Sequence, residues 1–319
     1  MDLGRGRGHH RGRAPAGRRG GRGETGRAPV RVISTAPELA AEWDAGRLSG
    51  SVIGYVPTMG ALHEGHLSLV DLAREQCDLV ICSIFVNPLQ FGPDEDFDSY
   101  PRTVERDLKL LEARGTTVVF LPDWDEIFPG RARTLQDFGT HVSVPRLSHQ
   151  LCGRTRPGHF DGMVTESLLF LNLVRPDRTY WGEKDFQQLR IIETLVQDLR
   201  LPVRVVRGVT RREPDGLAMS SRNKGLLFDA RAVAPHIHRV LLQSRARLLD
   251  GDPLPTVLAA ARDCLTERGF EVEYLVACEE ESLTEVRTLD FHAPIRLFAA
   301  AHLEGVRLID NMRVTEVAP

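Results

Sequence analysis

Between residues 51 and 209, short β-branched runs alternate with stretches whose apolar residues recur at helical spacing, and few architectures accept that pattern. SVIGYVP (51–57) reads as a buried strand ended by Pro57, and Leu67, Leu69, Val70, Leu72 and Ala73 then mark a helix from about His66 to Cys77. LVICSIFVN (79–87) is a second strand. After the loop PLQFGPDEDFDSYPRT, VERDLKLLEARG is an amphipathic helix and TTVVFLP a third strand. LLFLNLVRP, TYWGEKDFQQLRIIETLVQDL and VRVVRGVT continue the alternation to about residue 209. Strands joined through helices predict an α/β fold built on a parallel sheet with crossover helices. Beyond SSRN (220–223) the texture changes. An Ala/Arg/Leu-rich helical region (228–268) precedes the strand candidates EVEYLVAC (271–278), PIRLFAAAHL and VRLIDNM. The expected division is a parallel-sheet α/β domain over 32–209 and a smaller C-terminal α+β domain over 210–319.

The remainder of the composition narrows the function classes. A chain of 319 residues with 42% hydrophobic and 27% charged residues has ample material for a buried core. It holds no apolar run of about 18 residues, so no membrane-spanning helix is expected. The opening MDLGRGRGHHRGR has charge without an apolar stretch behind it, so no secretory signal is expected. Cys77, Cys82, Cys152, Cys264 and Cys278 are scattered, which argues against a disulfide framework or structural zinc and points to a reducing cytoplasm. Residues 1–31 hold nine Arg and nine Gly against Asp2 and Glu24, a local charge of +7 that leaves −10 for the remainder of a chain whose total is −3. Such a segment predicts a disordered arm. It is either a polyanion tether or a poorly constrained extension, and without interleaved aromatics the second reading is favoured.

Five segments carry the candidate chemistry. PTMGALHEGH (57–66) turns from strand into helix, offering unpaired N–H groups and a positive dipole end suited to phosphate. His63 and His66 are three apart on one face of that first turn, which excludes the H-E-x-x-H zinc spacing. FVNPLQF (85–91) places Asn87 and Gln90 at a strand's carboxyl end, where open α/β sheets bind ligands. CGRTRPGHFDGM (152–163) groups Arg154, Arg156 and His159 in an expected loop, either an anion clamp or a basic turn. WGEKDFQQ (181–188) brings a Lys-Asp pair and two glutamines to a helix start, and REPDGLAMSSRN (212–223) groups Ser220, Ser221 and Arg222 as donors for a leaving pyrophosphate. A solvated helix start or turn is the bland alternative for each.

Taken in this order, the strings VPTMGALHEGHLSLV, FVNPLQF, RPGHFDG, GEKDFQQL and DGLAMSSRN resemble the pantoate–β-alanine ligase (pantothenate synthetase) family of the H-x-G-H nucleotidyltransferase group. The resemblance runs from about residue 32 to 315, with YPRT and RLIDN as less specific matches. It implies a Rossmann-like domain that binds ATP and pantoate, a smaller domain closing over the site, and a homodimer. It also implies a pantoyl adenylate formed with release of pyrophosphate, then displacement of AMP by β-alanine, with Mg2+ accompanying the nucleotide and no metal ligands assigned to the protein. By resemblance, Met59, Gly60, Ala61, Leu62, His63, Glu64, Gly65 and His66 form the ATP loop, with His66 donating to the phosphates as the proton donor. Gly182, Glu183, Lys184 and Asp185 bind ATP, Lys184 on phosphate and Asp185 on ribose. Met219, Ser220, Ser221 and Arg222 close over the triphosphate, and Arg211 lies at the adenine. Gln90 and Gln188 hold pantoate, with Asn87 supporting that wall. His63, His66, Lys184, Ser220 and Arg222 are the implied catalytic set.

Four positions, in three segments, depart from the family pattern. Arg211 stands where an apolar residue contacts adenine through its backbone, and Trp181 replaces a Phe. In MVTESLLF (163–170), Glu166 and Ser167 replace two valines on the wall facing the acid. Two alternatives to a pantoate ligase therefore stay open: a paralogue adenylating a more polar hydroxy acid, and a polyanion-binding protein acting through the basic arm.

Overall fold

A computed structural model describes residues 29–315 apart from Asp94, Asp290 and Phe291. The expected arm therefore lies almost entirely outside the described residues. Its last three residues, Pro29 to Arg31, do not: Arg31 opens the first strand, pairs with Val118 and donates to the Glu42 carboxylate at 2.5 Å.

Six strands form the first sheet: β1 (Arg31–Ile33), β2 (Ile53–Thr58), β3 (Leu79–Ile84), β4 (Val118–Phe120), β5 (Arg178–Gly182) and β6 (Arg204–Gly208). Their order is β1-β4-β3-β2-β5-β6 and every pairing is parallel. Helices α1 (Ala36–Leu48), α2 (Glu64–Gln76), α3 (Val104–Ala113), α4 (Trp124–Ile127), α5 (Pro145–Ser148), α6 (Leu151–Thr155), α7 (His159–Val174) and α8 (Phe186–Asp198) make the connections. Both faces of the sheet are covered, which is why β3 is buried at every residue and reads as an unbroken apolar run. Period-two alternation sends Tyr55, Ile81 and Phe120 toward Phe170 of α7, and Val56, Val80, Cys82 and Val119 toward Leu67, Val70 and Ala73 of α2.

Two local expectations are corrected. LLFLNLV (168–174) is the second half of α7, a sixteen-residue helix capped by Arg175, because its apolar run packs against the sheet with helical period. CGRTRPGHFDGM is not a loop: α6 ends at Thr155 and α7 begins at His159, with only Arg156–Gly158 between them.

The chain then continues through α9 (Phe228–Val233), α10 (His236–Leu249) and α11 (Leu254–Thr266) into an antiparallel sheet of β7 (Glu271–Glu279), β8 (Ile295–Leu303) and β9 (Val306–Arg313). One face of this sheet buries Leu275, Ala277, Leu297 and Ala299 against Ile237, Leu241 and Val257 of α10 and α11. Phe298 and Ile309, on the opposite face, pack with Phe186 and Leu189 of α8. The second sheet is thus docked onto the helix that follows β5.

Candidate active site

In the first sheet the chain leaves β2 toward β3 on one side, and β5 lies on the other. The loops after β2 and β5 therefore diverge and leave a crevice at the carboxyl ends of the strands. A cavity of about 1110 Å³ occupies it, large enough for a nucleotide and a second small molecule.

The loop after β2 is held from below. Asp107 of α3 is fully buried, and its two carboxylate oxygens accept the N–H groups of Ala61 and Leu62 at 2.8 and 2.9 Å. Thr103 adds its hydroxyl at 3.1 Å. Ala61 is thereby kept at φ 49°, a left-handed conformation that costs a non-glycine residue free energy. His63 is the N-cap of α2 rather than a member of its first turn: its Nδ1 accepts the Gly65 N–H at 3.1 Å, and His66 Nδ1 accepts the His63 N–H at 3.4 Å. The ring centroids lie 4.0 Å apart. A Cβ on Gly65 would sit 2.8 Å from the His63 ring, so glycine between the two histidines is required by their packing.

These bonds assign the tautomers. With both Nδ1 atoms accepting, each neutral imidazole carries its proton on Nε2, and both Nε2–H groups remain to donate into the cavity. Burial, followed by the charges of His66 and Lys184, lowers His63 to about 3. Burial, then Lys184, lowers His66 to about 4. Two neutral donors and one ammonium thus face the same space.

The 3-10 turn Glu183–Asp185 after β5 carries Lys184, whose Nζ is 3.4 Å from the half-exposed Asp185 carboxylate. From the second sheet, Asn311 of β9 donates both Nδ2 hydrogens to the carbonyls of Glu183 and Lys184, at 2.9 and 2.8 Å. Its Oδ1 is in turn fixed by Arg296 at 2.5 Å, and Arg296 lies over the Phe186 ring at 3.9 Å. The segment after β6 closes the opposite side. Ser221 donates to Ala61 O at 3.1 Å, Ser220 accepts from the Arg222 N–H, and Arg222 forms two 2.9 Å bonds to Asp96.

Of the residues expected from the sequence, Met59, His63, Gly65, His66, Asn87, Gln90, Gly182, Lys184, Asp185, Gln188, Arg211, Met219, Ser220, Ser221 and Arg222 line this one cavity. Gly60, Ala61, Leu62, Glu64 and Glu183 do not. The first three are buried, the Gly60 N–H donating to Thr58 Oγ1 at 3.2 Å and those of Ala61 and Leu62 to Asp107; Glu64 pairs with Arg114 at 2.6 Å, and Glu183 offers its carbonyl to Asn311. Arg222 is an ion-paired cation rather than a free one. Arg156 likewise pairs with Glu95, and burial, together with the Arg156 charge, takes His159 down to about 3, so that segment is no simple anion clamp. Asn87 is buried and braces the wall: its amide donates to Gly162 O at 3.1 Å and to Gln90 Oε1 at 3.3 Å.

Sequence reasoning passed over Asp107, Asn311 and the Glu95–Asp96 pair. A buried acid inside an amphipathic helix was the signal available for Asp107. Asn311 is in RLIDN, but nothing in that string says which carbonyls its amide meets.

A sequence model of the pantoate-beta-alanine ligase family matches residues 31–313, which spans both sheets and every residue of the cavity. The chain is a member of the pantoate–β-alanine ligase family. It is 44% identical to the pantothenate synthetase of Acinetobacter baumannii over 285 residues, 89% of this chain and 98% of that one. It is also 44% identical to pantothenate synthetase 3 of Frankia alni over 289 residues, 90% and 98% of the two chains. The fold matches the crystal structure of pantothenate synthetase from Thermus thermophilus with a TM-score of 0.82 at 40% identity, over 90% of this chain and all of that one. A second structure, pantoate-beta-alanine ligase from Francisella tularensis complexed with beta-gamma ATP and beta-alanine, matches at a TM-score of 0.73 and 31% identity, over 89% and 97% of the two chains. Glu166 and Ser167 are the two residues that the resemblance set on the wall facing the acid. Both line the cavity, which places the carboxyl toward the site and not toward bulk water.

Proposed function

We propose that this chain joins pantoate to β-alanine with cleavage of ATP to AMP and pyrophosphate. The observation carrying the reading is the meeting, at the crevice between β2 and β5, of His63, His66, Lys184 and Ser220 with Gln90 and Gln188 in one cavity. The acid's carboxylate oxygen attacks the α-phosphorus of ATP, the bond to pyrophosphate breaks, and an acyl adenylate remains. Charge builds on the departing pyrophosphate, where two Nε2–H donors, an ammonium and the Ser220 hydroxyl already point, so little reorganisation is needed. The amine of β-alanine then attacks the acyl carbon, loses a proton and expels AMP.

Mg2+ belongs with the nucleotide in this reading. Such an ion keeps several waters and takes phosphate oxygens plus one or two carboxylates. The half-exposed Asp185 carboxylate, beside Lys184 on the wall this reading gives to the nucleotide, would be available to such an ion. The ion would neutralise phosphate charge. The reading also takes the boundary between the two domains near residue 209, and includes a homodimer and a cytoplasmic setting. No helix among the described residues is long and apolar enough to cross a membrane. Neither alternative, the polyanion scaffold or the separate paralogue, is favoured by relatives that carry the ligase name over about nine-tenths of the chain.

Acid-dependent exchange of labelled pyrophosphate into ATP, without any amine, tests the order of chemistry. Pantoate supports exchange, and His66→Ala or Lys184→Ala lowers it about 10²–10³-fold. Oxygen-18 from the pantoate carboxylate appears in AMP. Label found only in inorganic phosphate, with ADP as product, would refute an adenylate.

A further inference from the structure

Gly162 sits so close to the Pro88–Gln90 turn that a Cβ there would lie 1.9 Å from Leu89 O, and Asn87 donates to its carbonyl at 3.1 Å. This clamps the first half of α7 against the wall that carries Gln90. Residues four apart on a helix share a face, so Glu166 projects one turn further along that same wall, and Phe170 follows it into the Phe85–Phe120 stack. Glu166 therefore stands in the cavity between an amide-bearing wall and an aromatic floor, with Met59, Met163 and Phe85 also lining the space.

The carboxyl is without a strong partner in the protein. Among the described residues its one hydrogen bond is from Ser167 Oγ, at 3.3 Å, and no cation comes within ion-pair distance. The nearby Tyr55 hydroxyl, on β2, is engaged with Ser83 at 2.8 Å. Burial alone pushes Glu166 up to about 8. At neutral pH it is an uncharged acid that does not repel an incoming carboxylate. Glu166 is half-buried on the cavity wall, where a ligand can supply the partner that the protein does not.

The acid's own carboxylate must face the α-phosphate beside His66 at the start of α2 and Lys184 after β5, whereas Glu166 stands on α7, one turn beyond the contact of Gly162 with Leu89. The far end of the molecule then reaches the carboxyl. On the reading that the acid is pantoate, a 2,4-dihydroxy-3,3-dimethylbutanoate, that far end is the C4 hydroxyl.

We propose that Glu166 is a specificity-determining residue that hydrogen-bonds the acid's terminal hydroxyl and so selects the hydroxylated acid over its 4-deoxy counterpart. A site built to bond a hydroxyl discriminates far more strongly than an apolar wall, because the analogue leaves the buried group unpaired. The test compares kcat/KM in acid-dependent exchange for pantoate, 2-hydroxy-3,3-dimethylbutanoate and 4-hydroxy-3,3-dimethylbutanoate in wild type, Glu166→Val and Glu166→Gln. Wild type favours pantoate over the 4-deoxy acid by about 100-fold or more. Glu166→Val brings that ratio below about tenfold, leaves the ratio against the 2-deoxy acid unchanged, and Glu166→Gln restores most of the selectivity. The valine side chain removes a buried carboxyl, so this variant folds at least as stably as wild type, which thermal melting checks. A wild-type enzyme that uses both acids equally, or a valine variant that keeps the wild-type ratio, overturns the proposal while leaving the ligase reading intact. Wild type showing no exchange with pantoate overturns the choice of acid, and this assignment with it.

Discussion

Replacing Asp107 tests whether the nucleotide loop is shaped by one buried carboxylate. The side chain is fully buried, and its oxygens satisfy the N–H groups of Ala61 and Leu62 as well as the Thr103 hydroxyl. Asp107→Ala removes two charge-assisted bonds and strands two buried donors. Each such loss is of the order of 1.5–3 kcal/mol, so the variant is destabilised by about 3–5 kcal/mol. For a chain of this size that lowers Tm by about 5–15 °C. Freed from Asp107, Ala61 has no reason to stay at φ 49°, and the loop carrying Met59 and His63 relaxes out of register with the cavity. KM for ATP therefore rises by about tenfold or more, the equivalent of about 1.4 kcal/mol in binding. Asp107→Asn, which keeps one acceptor, falls between. Differential scanning calorimetry and steady-state kinetics in ATP measure both effects. An alanine variant that melts within about 2 °C of wild type and keeps its KM for ATP would show that the loop holds itself, and the reasoning would fail.

Two further outcomes follow from the site. His63 and His66 are depressed to about 3 and about 4, so between those values and the unfolded value of 6.5 the native chain holds fewer protons than the unfolded one. Their contribution is fully present above about pH 6.5 and is lost as the pH falls toward 4; the urea midpoint drops over that window, less so in a His63→Asn, His66→Asn variant. Superimposable pH profiles for the two proteins would contradict this. Asn311→Ala removes the clamp on the Glu183 and Lys184 carbonyls and leaves Arg296 without one acceptor, so pyrophosphate exchange falls about tenfold and ATP binds more weakly. Unchanged exchange would mean that β5 alone orients Lys184.

Local chemistry and periodicity were enough to read the parallel sheet, the H-x-G-H turn and the residues that could meet phosphate. These signals live within a few residues of one another: the β-branched run of β2, which continues through Pro57 to Thr58 instead of ending at the proline, apolar spacing in α2, donors grouped in GEKD and SSRN. What the tertiary structure decided is how partners distant in sequence are matched. Ala61 finds Asp107 46 positions away, Arg222 is neutralised by Asp96 across 126, and Lys184 is steadied by an asparagine 127 positions further on. Glu166 is the clearest case. Periodicity says nothing of which face it occupies; the family resemblance set it on the wall facing the acid, and the close approach of Gly162 to Leu89 is what holds that face toward the cavity. Hydrogen bonding and burial act over a few ångströms in space, while the sequence orders residues by covalent distance, so the inventory of the site was legible and its wiring was not.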